Sequence, residues 1–143
     1  MKPLYLLDTN IVSYVLKGTP RSIRERFEEE TADSIAISAI TAAELRYWIA
    51  KRPAQTRLRL HIEDFLIRVP TLSWDASVAA VHGELKATLF AMGRPLAELD
   101  MQIAAHALAL DSTLVTHDAA FRHVPNLRTE DWATPDQSST SQS

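Results

Sequence analysis

Short apolar runs alternate along this chain with stretches of helical periodicity, and nothing marks a tight hairpin between them. Residues 4–7, 34–40, 69–72, 113–116 and 127–129 read as strands, rich in leucine, isoleucine, valine and threonine. Between them lie helical patterns: residues 11–16 closed by Gly18, a segment from Pro20 to about residue 30, 41–51, 57–68, 75–92 and 100–110. The chain contains no Asn-Gly or Asp-Gly dipeptide. Strands separated by helices must be joined by crossovers, and crossovers give parallel pairing. The expected fold is therefore α/β: one domain over residues 1–132, a mostly parallel sheet of four to five strands, and helices on both faces. The closing run at 133–143 is polar, has no apolar anchor and is expected to be a disordered tail.

Composition excludes several classes. With 143 residues, 46% hydrophobic and 23% charged, the chain suits one soluble domain. There is no cysteine, so disulfides and thiolate-bound zinc or iron–sulfur centres are out. No apolar run approaches the ~20 residues that span a bilayer. The opening Met1-Lys2-Pro3-Leu4-Tyr5-Leu6-Leu7-Asp8 is too briefly apolar for a secretory signal, so a cytoplasmic protein without membrane contact is expected. The net charge of −3 argues mildly against a general nucleic-acid binder. Its distribution is less neutral. Arginines outnumber lysines 11 to 4, and Arg46, Lys51, Arg52, Arg57 and Arg59 fall close together. Arginine forks onto phosphate, although each of these also suits a solvated helix face.

In open α/β sheets the working crevice lies at the carboxyl ends of the strands. Four carboxylates from distant segments fall at such places. Asp8 ends the first strand, Glu44 lies one turn into the helix after the second, Asp100 opens the helix that feeds the fourth, and Asp118 follows that strand. Each has a plainer explanation: Asp8 and Asp118 as helix caps, Asp100 as an answer to a helix dipole. Glu44 is harder to dismiss. It shares a helix side with Ile40, Tyr47 and Trp48, beside the apolar stripe, and a half-buried carboxylate needs a partner. Four converging acids would repel one another or demand a cation. Oxygen ligands without cysteine or clustered histidine select a hard ion, Mg²⁺ or Mn²⁺, and such a site suits hydrolysis of a phosphodiester. Thr9, Asn10, Ser38 and Thr116 stand where they can support the ligands or an attacking water by hydrogen bonds. They also suit ordinary cap and strand-end roles. Arg94, in the break before Asp100, is a candidate phosphate contact or carboxylate partner.

Four segments in order carry a resemblance: Leu7-Asp8-Thr9-Asn10; Ser38 followed by Ala43-Glu44-Leu45; Leu99-Asp100-Met101-Gln102-Ile103-Ala104; and Leu114-Val115-Thr116-His117-Asp118. The chain resembles a PIN domain of the virulence-associated protein C (VapC) toxin type over about residues 4–132, and the closing Leu127-Arg128-Thr129-Glu130-Asp131-Trp132 is similar to the end of that group. The resemblance implies an Mg²⁺-dependent endoribonuclease, Mn²⁺ being an alternative ion, that cuts structured RNA, tRNA in particular. Asp8, Glu44 and Asp100 match the three most constant acids, with Asp8 and Asp100 as metal ligands, and Asp118 matches a fourth, more variable place. Position 117, where many relatives carry asparagine, is histidine here. The resemblance also implies a homodimer and a VapB-type antitoxin that lays a segment over the groove. Operator DNA would be reached only through that antitoxin. The closing segment leans toward relatives acting on initiator tRNA.

The remaining features read as scaffold. His106 lies in an alanine-rich helix and suits a core position; His61, His82 and His123 show no metal-ligand spacing. Trp48, Trp74 and Trp132 suit packing. The early helices, over 11–27 and 41–66, carry more apolar surface than so small a sheet covers, so an exposed groove for an amphipathic partner is expected there. Two other readings remain open from the residues: a PIN-fold binding module without catalysis, and a phosphate-handling α/β protein. The second lacks a glycine-rich loop, since the chain has only Gly18, Gly83 and Gly93.

Overall fold

The computed structural model of the chain describes residues 4–133. Five strands form one sheet: β1 (Tyr5–Leu7), β2 (Ile35–Ser38), β3 (Thr71–Leu72), β4 (Thr113–Val115) and β5 (Arg128–Glu130). Their order is β3-β2-β1-β4-β5, and every pair is parallel. Six helices make the first three crossovers: α1 (Thr9–Lys17), α2 (Arg21–Glu29), α3 (Ala39–Lys51), α4 (Thr56–Arg68), α5 (Ala76–Ala91) and α6 (Glu98–Ala109); the 3₁₀ turn Ala119–His123 makes the fourth.

Alternation along the strands sorts the core into two layers. Tyr5 and Leu7, Ile35 and Ile37, and Val115 face one side, where they pack with α1 to α4 and Trp132. Leu6, Ala36 and Leu114 face the other, against α5 and α6 with Phe121 and Val124. Both faces are covered, as parallel sheets require. Trp132 fixes the end of the described chain. Its ring meets Tyr5 edge-on at 5.4 Å, Arg26 lies 4.8 Å over it, and its indole N–H donates to Glu130.

Several boundaries shift by a residue or two from the sequence reading, and two of these shifts bear on the site. The strand expected over 34–40 stops at Ser38, because the Ser38 hydroxyl oxygen accepts from the Ile40 amide and turns Ala39 and Ile40 into the first turn of α3. Asp100 does not open its helix; α6 begins two residues earlier at Glu98, behind Ala97, which offers no side-chain cap. At the C terminus, Ala133 is tied by its carbonyl to the Ser22 hydroxyl and by its amide to Asp131. The rest of the expected tail lies outside the described residues.

Candidate active site

The chain leaves β1 toward β2 on one side of the sheet and leaves β4 toward β5 on the other. Opposed crossovers part between these neighbours and open a crevice at their carboxyl ends. Asp8 is the first residue beyond β1, and Thr116 the first beyond β4. The Asp8 amide donates to the Val115 carbonyl at 3.0 Å, which pins the turn.

Asp8 is only 5% exposed. Its Oδ1 accepts from the Ile11 amide at 2.8 Å, so it caps α1 as the plainer reading had it. The cap does not exhaust its chemistry. Burial pushes its pKa up from 3.8 to about 6, against the lowering hydrogen bonds from the Thr116 hydroxyl and Ile11, and the negative charges of Asp100 and Asp118 add to the rise. Asp100, in the first turn of α6, is raised by burial and by Asp118. Glu44, half-buried in the second turn of α3, is raised by burial and by Asp100. Asp118 is exposed and caps the 3₁₀ turn Ala119–His123, its Oδ1 accepting from the Ala120 amide at 2.9 Å. Asp100 is thus within electrostatic reach of the other three acids, and Asp8 of Asp118, while Glu44 feels Asp100 alone. Among the described residues, no lysine or arginine figures among the main influences on Asp8, Glu44 or Asp100.

The supporting residues divide. Thr116 is buried, hydrogen-bonds Asp8, and accepts from the Asp118 amide at 3.1 Å, so one side chain links two acids. Ser38 is buried and pairs with His106 Nδ1 at 2.8 Å. It holds α3, which carries Glu44, against α6, which carries Asp100. The Thr9 hydroxyl is 3.1 Å from that of Thr41 and ties α1 to α3. Asn10 and Arg94 are exposed. His117 meets the chain end instead: its Nδ1 lies 2.8 Å from Asp131, and its ring stands edge-on to Tyr14 at 6.3 Å. Nothing in the residues signals that pairing across 14 positions.

A divalent ion is the group such a fold implies. Among the described residues, no three histidine, aspartate or glutamate side chains close into a ready-made metal cage. The donor set nevertheless suits a hard divalent ion, which one or two protein carboxylates can hold while water and substrate phosphate complete its shell. A cluster of oxygens whose charges oppose one another, with no protein cation to balance them, has an excess that a hard ion relieves.

A wide concavity lies elsewhere among the described residues. A groove of about 870 Å³ runs between α1, α3 and α4, floored by Leu16, Trp48 and Leu58 and edged by Lys17, Lys51, Arg52 and Arg57. The expected exposed groove between the early helices is therefore present, and Trp48 lines it.

Comparison with known proteins agrees with this geometry. The PIN domain pattern matches residues 5–127. The chain is 38% identical over 130 residues to the tRNA(fMet)-specific endonuclease VapC of Shigella flexneri, covering 90% of this chain and 98% of that one. It is 42% identical over 129 residues to ribonuclease VapC2 of Haemophilus influenzae, covering 90% and 97%. Among solved structures, DNA-bound VapBC from Salmonella typhimurium superposes with a TM-score of 0.84 at 34% identity, covering 92% of this chain and 99% of that one. VapBC2 from Rickettsia felis, bound to a promoter DNA fragment, gives 0.83 at 34%, covering 90% and 98%. The chain belongs to the PIN domain family and, within it, to the VapC group.

Proposed function

We propose that this protein is the toxin of a toxin–antitoxin pair, an Mg²⁺-dependent endoribonuclease whose substrate is tRNA, initiator tRNA being the first candidate. The observation that supports this most is Asp8: a buried carboxylate at the sheet's crevice, coupled to Asp100 and Asp118. Asp8 and Asp100 would hold the ion, with Mn²⁺ as a substitute, and an ion there would supply a more acidic water and charge neutralisation at the leaving oxygen. Glu44 and Asp118 flank that pair and take hydrogen bonds from water, orienting it toward the phosphorus. Thr116 keeps Asp8 and Asp118 in register. Asn10, exposed one residue beyond Thr9, supports the ligands or the water by hydrogen bonds. Arg94, exposed in the loop between α5 and α6, reaches an RNA phosphate.

The partner is a VapB-type antitoxin. The named relatives with solved structures are VapBC complexes, and the apolar floor of the 870 Å³ groove suits an amphipathic segment. Operator DNA is met only through that partner, in keeping with the net charge of −3. Two copies pair through exposed apolar side chains such as Phe90, Met92 and Leu99. No helix among the described residues is long and apolar enough to cross a membrane, and we place the protein in the cytoplasm.

The test is cleavage of a tRNA pool, in Mg²⁺ and in EDTA, by the parent and by Asp8→Asn and Asp100→Asn. Cleavage by the parent in Mg²⁺ alone, abolished in both variants, is the expected result. Cleavage that survives EDTA or either substitution refutes the mechanism.

A further inference from the structure

Glu44, Tyr47 and Lys51 follow one another on α3 at spacings of three and four, so they form a single stripe along the helix. Tyr47 departs from its apolar neighbours. Leu45 is fully buried and Trp48 and Ile49 are half-buried, whereas Tyr47 is 59% exposed. The Lys51 ammonium sits 5.4 Å from its ring centroid, a cation–π contact on one face of the ring. Tyr47 lies about 4.5 Å along the helix axis from Glu44, so an exposed aromatic face stands one turn from the acids.

The surroundings have a sign. Lys51 also edges the 870 Å³ groove, together with Lys17, Arg52 and Arg57. None of these four forms an ion pair with a carboxylate among the described residues, although Arg21, Arg26, Arg68, Arg128 and Lys86 all do. Of these four, Lys51 is the one that touches Tyr47; the other three edge the neighbouring groove, which Trp48 lines and Tyr47 does not. Aromatic faces interleaved with unpaired cations are the pattern by which proteins hold single-stranded nucleic acid: bases stack on the rings and phosphates meet the cations.

We propose that Tyr47 is the stacking platform for an unpaired base of the RNA, beside the phosphate held at the acids, with Lys51 on the adjoining phosphate. This rests on the ribonuclease reading and narrows its substrate. A base within a duplex has both faces covered by its neighbours, so only a loop or single-stranded segment can present one to the ring. The enzyme then selects RNA that is unpaired at the cut.

The experiment uses the full chain in EDTA, where no cleavage is expected, and titrates it into a single-stranded oligoribonucleotide carrying 2-aminopurine, whose fluorescence reports stacking. Tyr47→Ala should weaken binding roughly tenfold or more and abolish the fluorescence change, since one stacked base contributes a factor of about ten. Tyr47→Phe and Tyr47→Trp should retain both signals. Ile67→Ala, which truncates an 84% exposed apolar residue on α4, should bind as the parent does. A duplex of the same sequence should bind equally to the parent and Tyr47→Ala. In Mg²⁺, Tyr47→Ala should raise KM more than it lowers kcat. The proposal is overturned if Tyr47→Ala binds the single strand within twofold of the parent, or if it weakens duplex and single strand alike. Loss of stacking in Tyr47→Ala by a parent that cuts no RNA would refute the nuclease reading and leave this one standing. Cleavage with unaltered binding in Tyr47→Ala would do the reverse.

Discussion

Replacing Asp8 with asparagine should stabilise the metal-free protein, and by an amount that depends on pH. Folding raises the Asp8 pKa from 3.8 to about 6. At about 1.4 kcal/mol for each pKa unit, that rise corresponds to about 3 kcal/mol. The sign follows from proton binding. Between pH 3.8 and about 6 the folded protein holds the proton and the unfolded chain has released it, so stability falls as pH rises through this window. Below it Asp8 is neutral in both states and nothing is lost. Asparagine keeps the cap oxygen for the Ile11 amide, and Asn and Asp are comparable caps. The charge-assisted bonds from Ile11 and Thr116 are already part of that shift, so the gain above the window is about 3 kcal/mol, or roughly 6–12 °C in melting temperature for a chain of this size. The assay is thermal unfolding followed by circular dichroism in EDTA at pH 4, 6 and 8. The two proteins should melt together at pH 4, and the variant should lead increasingly toward pH 8. Mg²⁺ should then raise the parent's melting temperature and leave the variant's unchanged. A gap independent of pH, or a variant less stable than the parent at pH 8, would mean that Asp8 serves as a cap and nothing more.

Other perturbations give distinct readouts. Trp132→Ala removes a buried ring packed on Tyr5 and under Arg26, and should cost about 3–5 kcal/mol by urea denaturation. Burial lowers the pKa of His106 from 6.5. The folded state therefore binds fewer protons than the unfolded chain just below pH 6.5, and this group's contribution is lost as pH falls; His106→Asn should flatten that part of the stability profile. Reversing charge on the groove edge with Lys17→Glu and Arg57→Glu should weaken capture of the VapB-type partner, tenfold or more by surface plasmon resonance, if that partner's segment is acidic.

The architecture was legible because its signals are local and agree. Alternating Tyr5, Leu6 and Leu7, the left-handed cap at Gly18 and the acid cap at Asp75 each report structure within a few residues. The errors came where two local signals compete. Ile40 is β-branched and prolongs a strand pattern, yet the Ser38 cap claims it for α3. Ala97 starts α6 without any side-chain sign, so the nearest acid, Asp100, looked like the opening residue. The acids were legible as candidates because strand ends and helix starts are where a parallel sheet places its chemistry. Their mutual reach was not, since it depends on β1 lying beside β4 rather than on spacing. Thr9 turns to Thr41, and His117 to Asp131, for the same reason: both partners are distant in sequence. Tyr47 could have been suspected from a tyrosine set three residues after Glu44 and four before Lys51.

Calorimetric titration of Mn²⁺ into the parent, Asp8→Asn and Asp100→Asn, at pH 7.5 and without RNA, separates a shared ion site from a set of unrelated caps. One saturable event in the parent, weakened at least tenfold by either substitution, is what a common site predicts. Equal affinity in all three proteins would contradict it.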